Sequence, residues 1–195
     1  MYPSHAVTAN YPTMGAVLCG GQSRRFGRDK ATAAIPGGRV LGQVAIGAMR
    51  GAGIDPVVAI GGTFSSELGI PTIADRWPGE GPLGGVATAL LYATQGHVLV
   101  APCDLVNLSS DHLMLVAPPD DADVAVVASV DGVAAPSLGL WPKAWARSLV
   151  GEIRSGARRL DHLLTLGAYQ LVEVPSEALS DADTEEELLN TTFEG

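Results

Sequence analysis

Short apolar, largely β-branched runs recur at 14–18 (MGAVL), 56–60 (PVVAI), 97–101 (HVLVA) and 123–130 (DVAVVASV), each ending within two residues of a glycine, proline or aspartate. Runs of this length without polar alternation suit strands buried on both faces. Between them lie stretches with helical spacing, so each strand feeds a loop, then a helix, then another strand.

The helices read from this spacing are 40–50, where Leu41, Val44 and Ala48 share a face and Gly51 and Gly53 close the element, and 84–94, where Val86, Leu90 and Leu91 recur. A third begins at Ser109 or Ser110 and runs to Val116, with Asp111 in its first turn. Further helices are expected over 142–153, 158–166 and 184–189, the last capped by Asp183 or Thr184. Short strands are expected at 70–74 and 169–174, and 136–141 is expected to return antiparallel across an Asp131-Gly132 turn. Alternating strands and helices imply a mainly parallel sheet covered on both faces. The fold class is therefore α/β: one Rossmann-like domain over residues 1–195, with α/β/α layers, in which residues 1–12 are expected to form an N-terminal extension.

The chain of 195 residues suits one domain, and 47% hydrophobic against 17% charged residues is enough apolar material for a sizeable core. Net charge is −9, which disfavours nucleic acid or an anionic membrane surface as partner. Nine of the 21 acidic residues fall from Leu160 onward, where no lysine or arginine occurs, so the excess is terminal and the body is neutral. Two cysteines, Cys19 and Cys103, exclude a disulfide framework and suit a reducing compartment. No signal peptide or membrane span is read from the sequence, and the expected location is cytoplasmic.

In this neutral body Arg24, Arg25, Arg28 and Lys30 crowd into seven positions. They belong to LCGGQSRRFGRDK, residues 18–30, at the mouth of the first strand. Glycines let main-chain N–H groups converge, and arginines and a lysine add positive charge, a combination suited to polyphosphate. The spacing is neither a Walker A loop nor a dinucleotide fingerprint, and the second strand ends in Gly61-Gly62-Thr63 with no acidic residue for a ribose. Asp104 follows a buried strand, where open α/β sheets bind ligands and where a carboxylate beside a triphosphate suits Mg²⁺. Asp75 also follows a strand and opens a loop of glycines and prolines. The four histidines show no metal-ligand spacing, and Cys103 reads as a small buried residue rather than a catalytic thiol.

LCGGQSRRFGRDK resembles the signature LAGGxSxRMGxDK of molybdenum cofactor guanylyltransferases, within the wider nucleotidyltransferase family. DRWPGEGPLGG (75–85) is similar to that family's D…GPLxG segment, and VLVAPCDL (98–105) to its strand ending in CD. PSLGLWP (136–142), RSGARRL (154–160) and DADTEEEL (181–188) resemble its PLxGLW, G-x-R-R and N-x-N-T-P-x-x-L segments. The matches run in order from residue 15 to 188.

The resemblance implies transfer of a guanylyl group from GTP to the phosphate of molybdopterin, with pyrophosphate released and Mg²⁺ as cofactor. It places the backbone of Leu18, Cys19, Gly20 and Gly21 against base and ribose, Lys30 and Arg25 on the phosphates, Asp104 on magnesium and Asp75 close to the nucleotide. Arg158, Arg159 and Trp141 are implied on the acceptor side, and other proteins of cofactor biosynthesis are possible partners. The chain departs from the pattern at Cys19 for alanine, Phe26 for methionine, Leu105-Val106 after the CD pair, and Asp181 and Asp183 for two asparagines. A related transferase using CTP or another phosphorylated acceptor, and a non-catalytic binding paralogue, are the alternative readings.

Overall fold

The structure, a computed structural model, describes residues 13–20, 29–62, 65–94, 96–182 and 184–191. In chain order the elements are β1 (Thr13–Leu18), β2 (Ala34–Ile35), β3 (Arg39–Val40), α1 (Gly42–Gly51), β4 (Val57–Ile60), α2 (Ser65–Leu68), β5 (Thr72–Ile73) and α3 (Pro82–Tyr92). They continue as β6 (His97–Pro102), α4 (Ser110–Leu115), β7 (Ala125–Val130), β8 (Val133–Pro142), α5 (Ala146–Arg154), β9 (Tyr169–Glu173) and α6 (Glu185–Asn190). No helix among the described residues is long and apolar enough to cross a membrane.

One seven-stranded sheet runs β5-β4-β1-β6-β8-β7-β9. Its pairs are parallel except those made by β8, which is antiparallel to both β6 and β7. The apolar runs become strands because both faces are covered. Val17, Ala59, Leu99, Ala101 and Val126 point to one side, against Ala45 and Met49 of α1 and Leu113 of α4. Ala16, Val58, Ile60, Val98, Val100 and Val127 point to the other, against Leu83, Val86 and Leu90 of α3 and Leu149 and Ile153 of α5. Full burial of one such leucine stabilises by about 1.5–3 kcal/mol relative to exposure, and this places the folding energy on the two sheet faces. The α/β/α expectation is borne out.

Several boundaries differ from the expectation for local reasons. Val40 was expected to open a helix but is paired in a small β2–β3 hairpin, turned through Gly37 and Gly38, so α1 begins at Gly42. α3 starts two residues early because Pro82 occupies its first turn, where the missing N–H costs nothing. It is also buried on nearly every side, not along one stripe. The helix expected over 142–153 is a 3₁₀ turn at Lys143–Trp145 running into α5, and that expected over 158–166 is 3₁₀ only, at Leu160–Thr165. The Asp131-Gly132 turn forms with both residues at positive φ, 52° and 75°, the type I′ signature that matches strand twist. Thr184 caps α6, accepting from the Glu187 N–H while the Glu187 carboxylate accepts from the Thr184 N–H. Asp183 lies outside the described residues.

Candidate nucleotide site

The sheet order fixes where a ligand belongs. From β1 the chain steps to β4 and β5 on one side, then returns to β6 on the other, so the order reverses between β1 and β6. Open α/β sheets bind ligands at such a switch point, outside the carboxyl ends of the strands. Leu18 is level with Pro102 there. The hydrogen-bond pattern continues one residue further: the Cys19 N–H donates to the Ile60 carbonyl at 2.9 Å and the Cys103 N–H to the Leu18 carbonyl at 3.1 Å. Gly20 and Asp104 are therefore the first residues past the sheet on either side of the crevice.

Cys19 and Cys103 form its floor as buried free thiols. The hydrogen bond with Cys19 pushes the Cys103 thiol well above its ordinary value, with burial and the charges of Asp104 and Asp29 acting in the same direction. A thiol so held stays protonated at neutral pH and packs; it does not attack.

Lys30 reaches the crevice from a 3₁₀ turn at Lys30–Thr32. Asp29 caps that turn, its carboxylate accepting from the Ala31 N–H at 2.9 Å, and the buried Ala31 anchors it. Burial raises the Asp29 carboxyl and the Ala31 N–H partly offsets this. Lys30 Nζ then lies 3.3 Å from Asp104 Oδ2, with the two side chains 14% and 24% exposed. A cation and an anion held side by side at this depth are screened less than a surface pair.

The turn after Asp104 is closed by the C-terminal segment. Ala182 N–H donates to the Asp104 carbonyl, Val106 N–H to the Ser180 carbonyl, and Leu105 bridges Asp181. Asp181, one of the two departures from asparagine, thus sits on the same rim, while Leu105 and Val106 are buried beneath it.

Asp75 faces this rim from the turn after β5. Its Oδ1 accepts from the Trp77 N–H at 3.0 Å and the Thr88 hydroxyl at 2.9 Å. Its Oδ2 lies 3.9 Å from where a Cβ on Gly20 would stand. The approach depends on two glycines. A Cβ on Gly61, at φ +75°, would stand 2.9 Å from the Gly20 Cα, and one on Gly84 would stand 2.9 Å from the Trp77 Cβ. Only glycine lets the ends of β1 and β4 cross this closely.

Of the residues expected at the site, Leu18, Cys19, Gly20, Lys30, Asp75 and Asp104 come together at the switch point. Gly21 and Arg25 lie outside the described residues. Of the residues expected on the acceptor side, Trp141 does not stand at the crevice. Trp141 is fully buried, pairs with Val98 at the amino end of β6, and packs on Trp145 with ring centroids 6.0 Å apart. It is a core residue at the opposite end of the sheet from the crevice. Arg158 is engaged within the fold: Nη1 donates to the Ile153 and Ala157 carbonyls at 2.9 and 2.7 Å, and Nε pairs with Glu80 of the loop that begins at Asp75. Arg159 is exposed and pairs with Asp161 at 3.0 Å.

The sequence reading passed over Asp29 and Thr88. Asp29 carried a signal, an aspartate directly before a short turn; Thr88 carried none, because a threonine inside an apolar helix does not reveal its partner. His97 is buried with Nε2 3.1 Å from the Val124 carbonyl. Burial lowers its pKa, against the opposing pull of that carbonyl and of Asp123. It belongs to the core. Among the described residues no group of three or more His, Cys, Asp or Glu side chains could hold a metal ion.

Comparison with known proteins agrees with this fold. The family described as MobA-like NTP transferase domain matches residues 15–173. A Deinococcus radiodurans protein named "Probable molybdenum cofactor guanylyltransferase" is 34% identical over 166 residues, 84% of this chain and 83% of that protein. The molybdenum cofactor guanylyltransferase of Rhizobium johnstonii is 30% identical over 151 residues, 74% of this chain and 70% of that one. The crystal structure of molybdopterin-guanine dinucleotide biosynthesis protein A from Archaeoglobus fulgidus superposes with TM-score 0.71 at 20% identity, covering 90% of this chain and 95% of that one. With the family matching most of the chain and the sheet placing Lys30, Asp75 and Asp104 at one crevice, the chain belongs to the MobA-like NTP transferase family, a family of nucleotidyltransferases.

Proposed function

We propose that the chain transfers the guanylyl group of GTP to the terminal phosphate of molybdopterin, in the biosynthesis of the molybdenum cofactor. The observation that carries this reading is the convergence of Lys30 and Asp104 at the β1–β6 switch point, 3.3 Å apart. The names of the relatives supply the nucleotide and the acceptor.

An acceptor phosphate oxygen forms a bond to the α-phosphorus of GTP. The bond from that phosphorus to the bridging oxygen breaks, and pyrophosphate leaves with the electron pair. Such a displacement needs positioning and charge compensation rather than a nucleophilic side chain. Lys30 supplies a fixed positive charge for the triphosphate, and Arg25 is assigned to the same phosphates. The Leu18–Gly20 backbone, with Gly21 beyond it, would lie along base and ribose. Asp75 presents a carboxylate oxygen over Gly20.

The donor chemistry suits Mg²⁺, which is typically held by one or two carboxylates plus substrate phosphate oxygens and water instead of a cage of protein ligands. Asp104 would be its protein ligand, and the ion when bound would neutralise charge on the phosphates. Arg158 and Arg159, both exposed, remain candidates for the acceptor side, and Arg158 also ties the Asp75 loop through Glu80.

Purified protein given GTP, Mg²⁺ and molybdopterin is expected to release pyrophosphate and form the guanine dinucleotide. Turnover with CTP in place of GTP, or with a different phosphorylated acceptor only, would overturn the assignment of substrates.

A further inference from the structure

Three polar side chains among the described residues are almost wholly buried: Thr88, His97 and Ser129. His97 and Ser129 are bonded within the far half of the sheet, to Val124 and Glu173. Thr88 is different, because its partner lies on the rim of the crevice. Its hydroxyl, in a residue 1% exposed, accepts from the Arg76 N–H at 3.0 Å and lies 2.9 Å from Asp75 Oδ1 and 3.0 Å from the Gly84 carbonyl. A hydroxyl has one proton, and the carboxylate is the stronger acceptor, so the proton goes to Asp75.

With the Trp77 N–H, Thr88 fills Oδ1 from two directions. Among the described residues nothing donates to Oδ2, which faces the Gly20 backbone. The arrangement is built into the fold from both ends. Gly84 lets the first turn of α3 close against Trp77, and this brings Thr88, one turn later in the helix, up to the carboxylate.

We infer that Thr88 is a positioning residue for nucleotide binding: by occupying Asp75 Oδ1 it fixes the carboxylate in one rotamer and presents Oδ2 as an acceptor for an N–H or O–H donor of the nucleotide lying over Gly20. The inference rests on the nucleotidyl-transfer reading above. The donor is either the 2-amino group of the purine edge or the ribose 2′-hydroxyl. These are told apart with inosine triphosphate, which lacks the 2-amino group, and 2′-deoxyGTP, which lacks the hydroxyl.

The experiment measures calorimetric affinity for GTP and both analogues in wild type, Thr88→Val, Thr88→Ser, Asp75→Asn and the Thr88→Val/Asp75→Asn double variant, with thermal melts as a control for folding. Thr88→Val keeps the side-chain shape and removes the hydroxyl. It is expected to weaken GTP binding about tenfold, the value of one charge-assisted hydrogen bond, while Thr88→Ser stays within about twofold. The wild-type preference for GTP over one analogue is expected to vanish in Thr88→Val. In the Asp75→Asn background Thr88→Val is expected to cost no further affinity, because it acts through that carboxylate.

Wild-type GTP affinity in Thr88→Val, equal loss in Thr88→Ser, or full additivity with Asp75→Asn would each overturn the inference. Should Thr88→Val fail to fold, Thr88→Ala, which leaves room for water at the Arg76 N–H, carries the same comparison. A wild-type protein that binds none of the three nucleotides would defeat the nucleotidyl-transfer reading itself. Binding by wild type with an unaffected Thr88→Val defeats the Thr88 role alone.

Discussion

Lys30 Nζ and Asp104 Oδ2, carried by residues 74 positions apart, lie 3.3 Å from each other where β1 and β6 end. The pair joins the basic glycine-rich loop to the carboxylate that follows the central strand. Under the proposed function, Lys30 would meet the phosphates and Asp104 the metal. Lys30→Ala is expected to lower kcat/KM for GTP by about 10²- to 10³-fold, the cost of one preorganised charge on a transferring group. Asp104→Ala is expected to abolish turnover at any Mg²⁺ concentration. Steady-state kinetics on the two variants check both, and full activity in either would remove that residue from the site.

The Gly20–Gly61 crossing gives a prediction about stability. Gly61 sits at φ +75°, and an added Cβ would stand 2.9 Å from the Gly20 Cα. Gly61→Ala is expected to destabilise by about 2 kcal/mol or more, through left-handed backbone strain plus the contact with main chain. Because the displaced atoms belong to Gly20, KM for the nucleotide should rise as well. Denaturant melts and kinetics together check this. A variant with wild-type stability would show that the two loops can separate freely.

The buried thiol pair predicts an absence of thiol chemistry. With Cys103 held protonated by Cys19 and by burial, Cys103→Ala is expected to retain turnover while losing about 1 kcal/mol of stability from the space left behind. Cys19→Ala, which restores the residue of the family signature, is expected to keep activity too. Loss of chemistry in Cys103→Ala at unchanged nucleotide affinity would contradict the assignment.

Glu173 gives a pH dependence. Its carboxylate accepts from the Ser129 hydroxyl at 2.9 Å and from the Asp131 and Gly132 N–H groups, tying the edge strand β9 to the β7–β8 turn. The Ser129 hydroxyl is the largest cause holding this carboxyl below its ordinary value of 4.5; burial opposes it, and the two amides add to the lowering. A depressed folded-state pKa contributes stability that is present above the unfolded value and lost as pH falls through the folded one. The difference in Tm between wild type and Glu173→Gln should therefore be full above about pH 4.5 and shrink below it. A difference that is flat with pH would mean the carboxylate charge plays no part in holding the turn.

The strands that place the site were legible because each is an apolar run buried on both faces, so HVLVA and the Cys103-Asp104 step after it could be located from sequence alone. Asp104 follows directly from knowing where β6 stops, whereas Asp75 follows β5, only two half-buried residues at Thr72–Ile73, and is located by the proline- and glycine-rich loop it opens. The β2–β3 hairpin was not legible, since strands of two residues have no period to detect. Trp141 was misplaced because antiparallel register, which puts it beside Val98 at the amino end of β6, is not written in the local pattern. The tie between Arg158 and Glu80 was not legible for a related reason: the two are distant in the chain, and no spacing rule couples them. Thr88 was passed over because a buried hydroxyl gains meaning only from what it faces.

Under the proposed function the switch-point crevice binds GTP together with Mg²⁺ through Lys30 and Asp104. A ligand that binds the folded state raises its stability by mass action, about 2.7 kcal/mol at a hundredfold excess over Kd. The most direct measurement is the thermal melt of wild type and Asp104→Ala with GTP, CTP, ATP and UTP, each with and without Mg²⁺. The expected result is a rise in Tm selective for GTP, larger with Mg²⁺ in wild type, with the Mg²⁺ increment gone in Asp104→Ala. No rise with any nucleotide, or an Mg²⁺ increment that survives in Asp104→Ala, would contradict it.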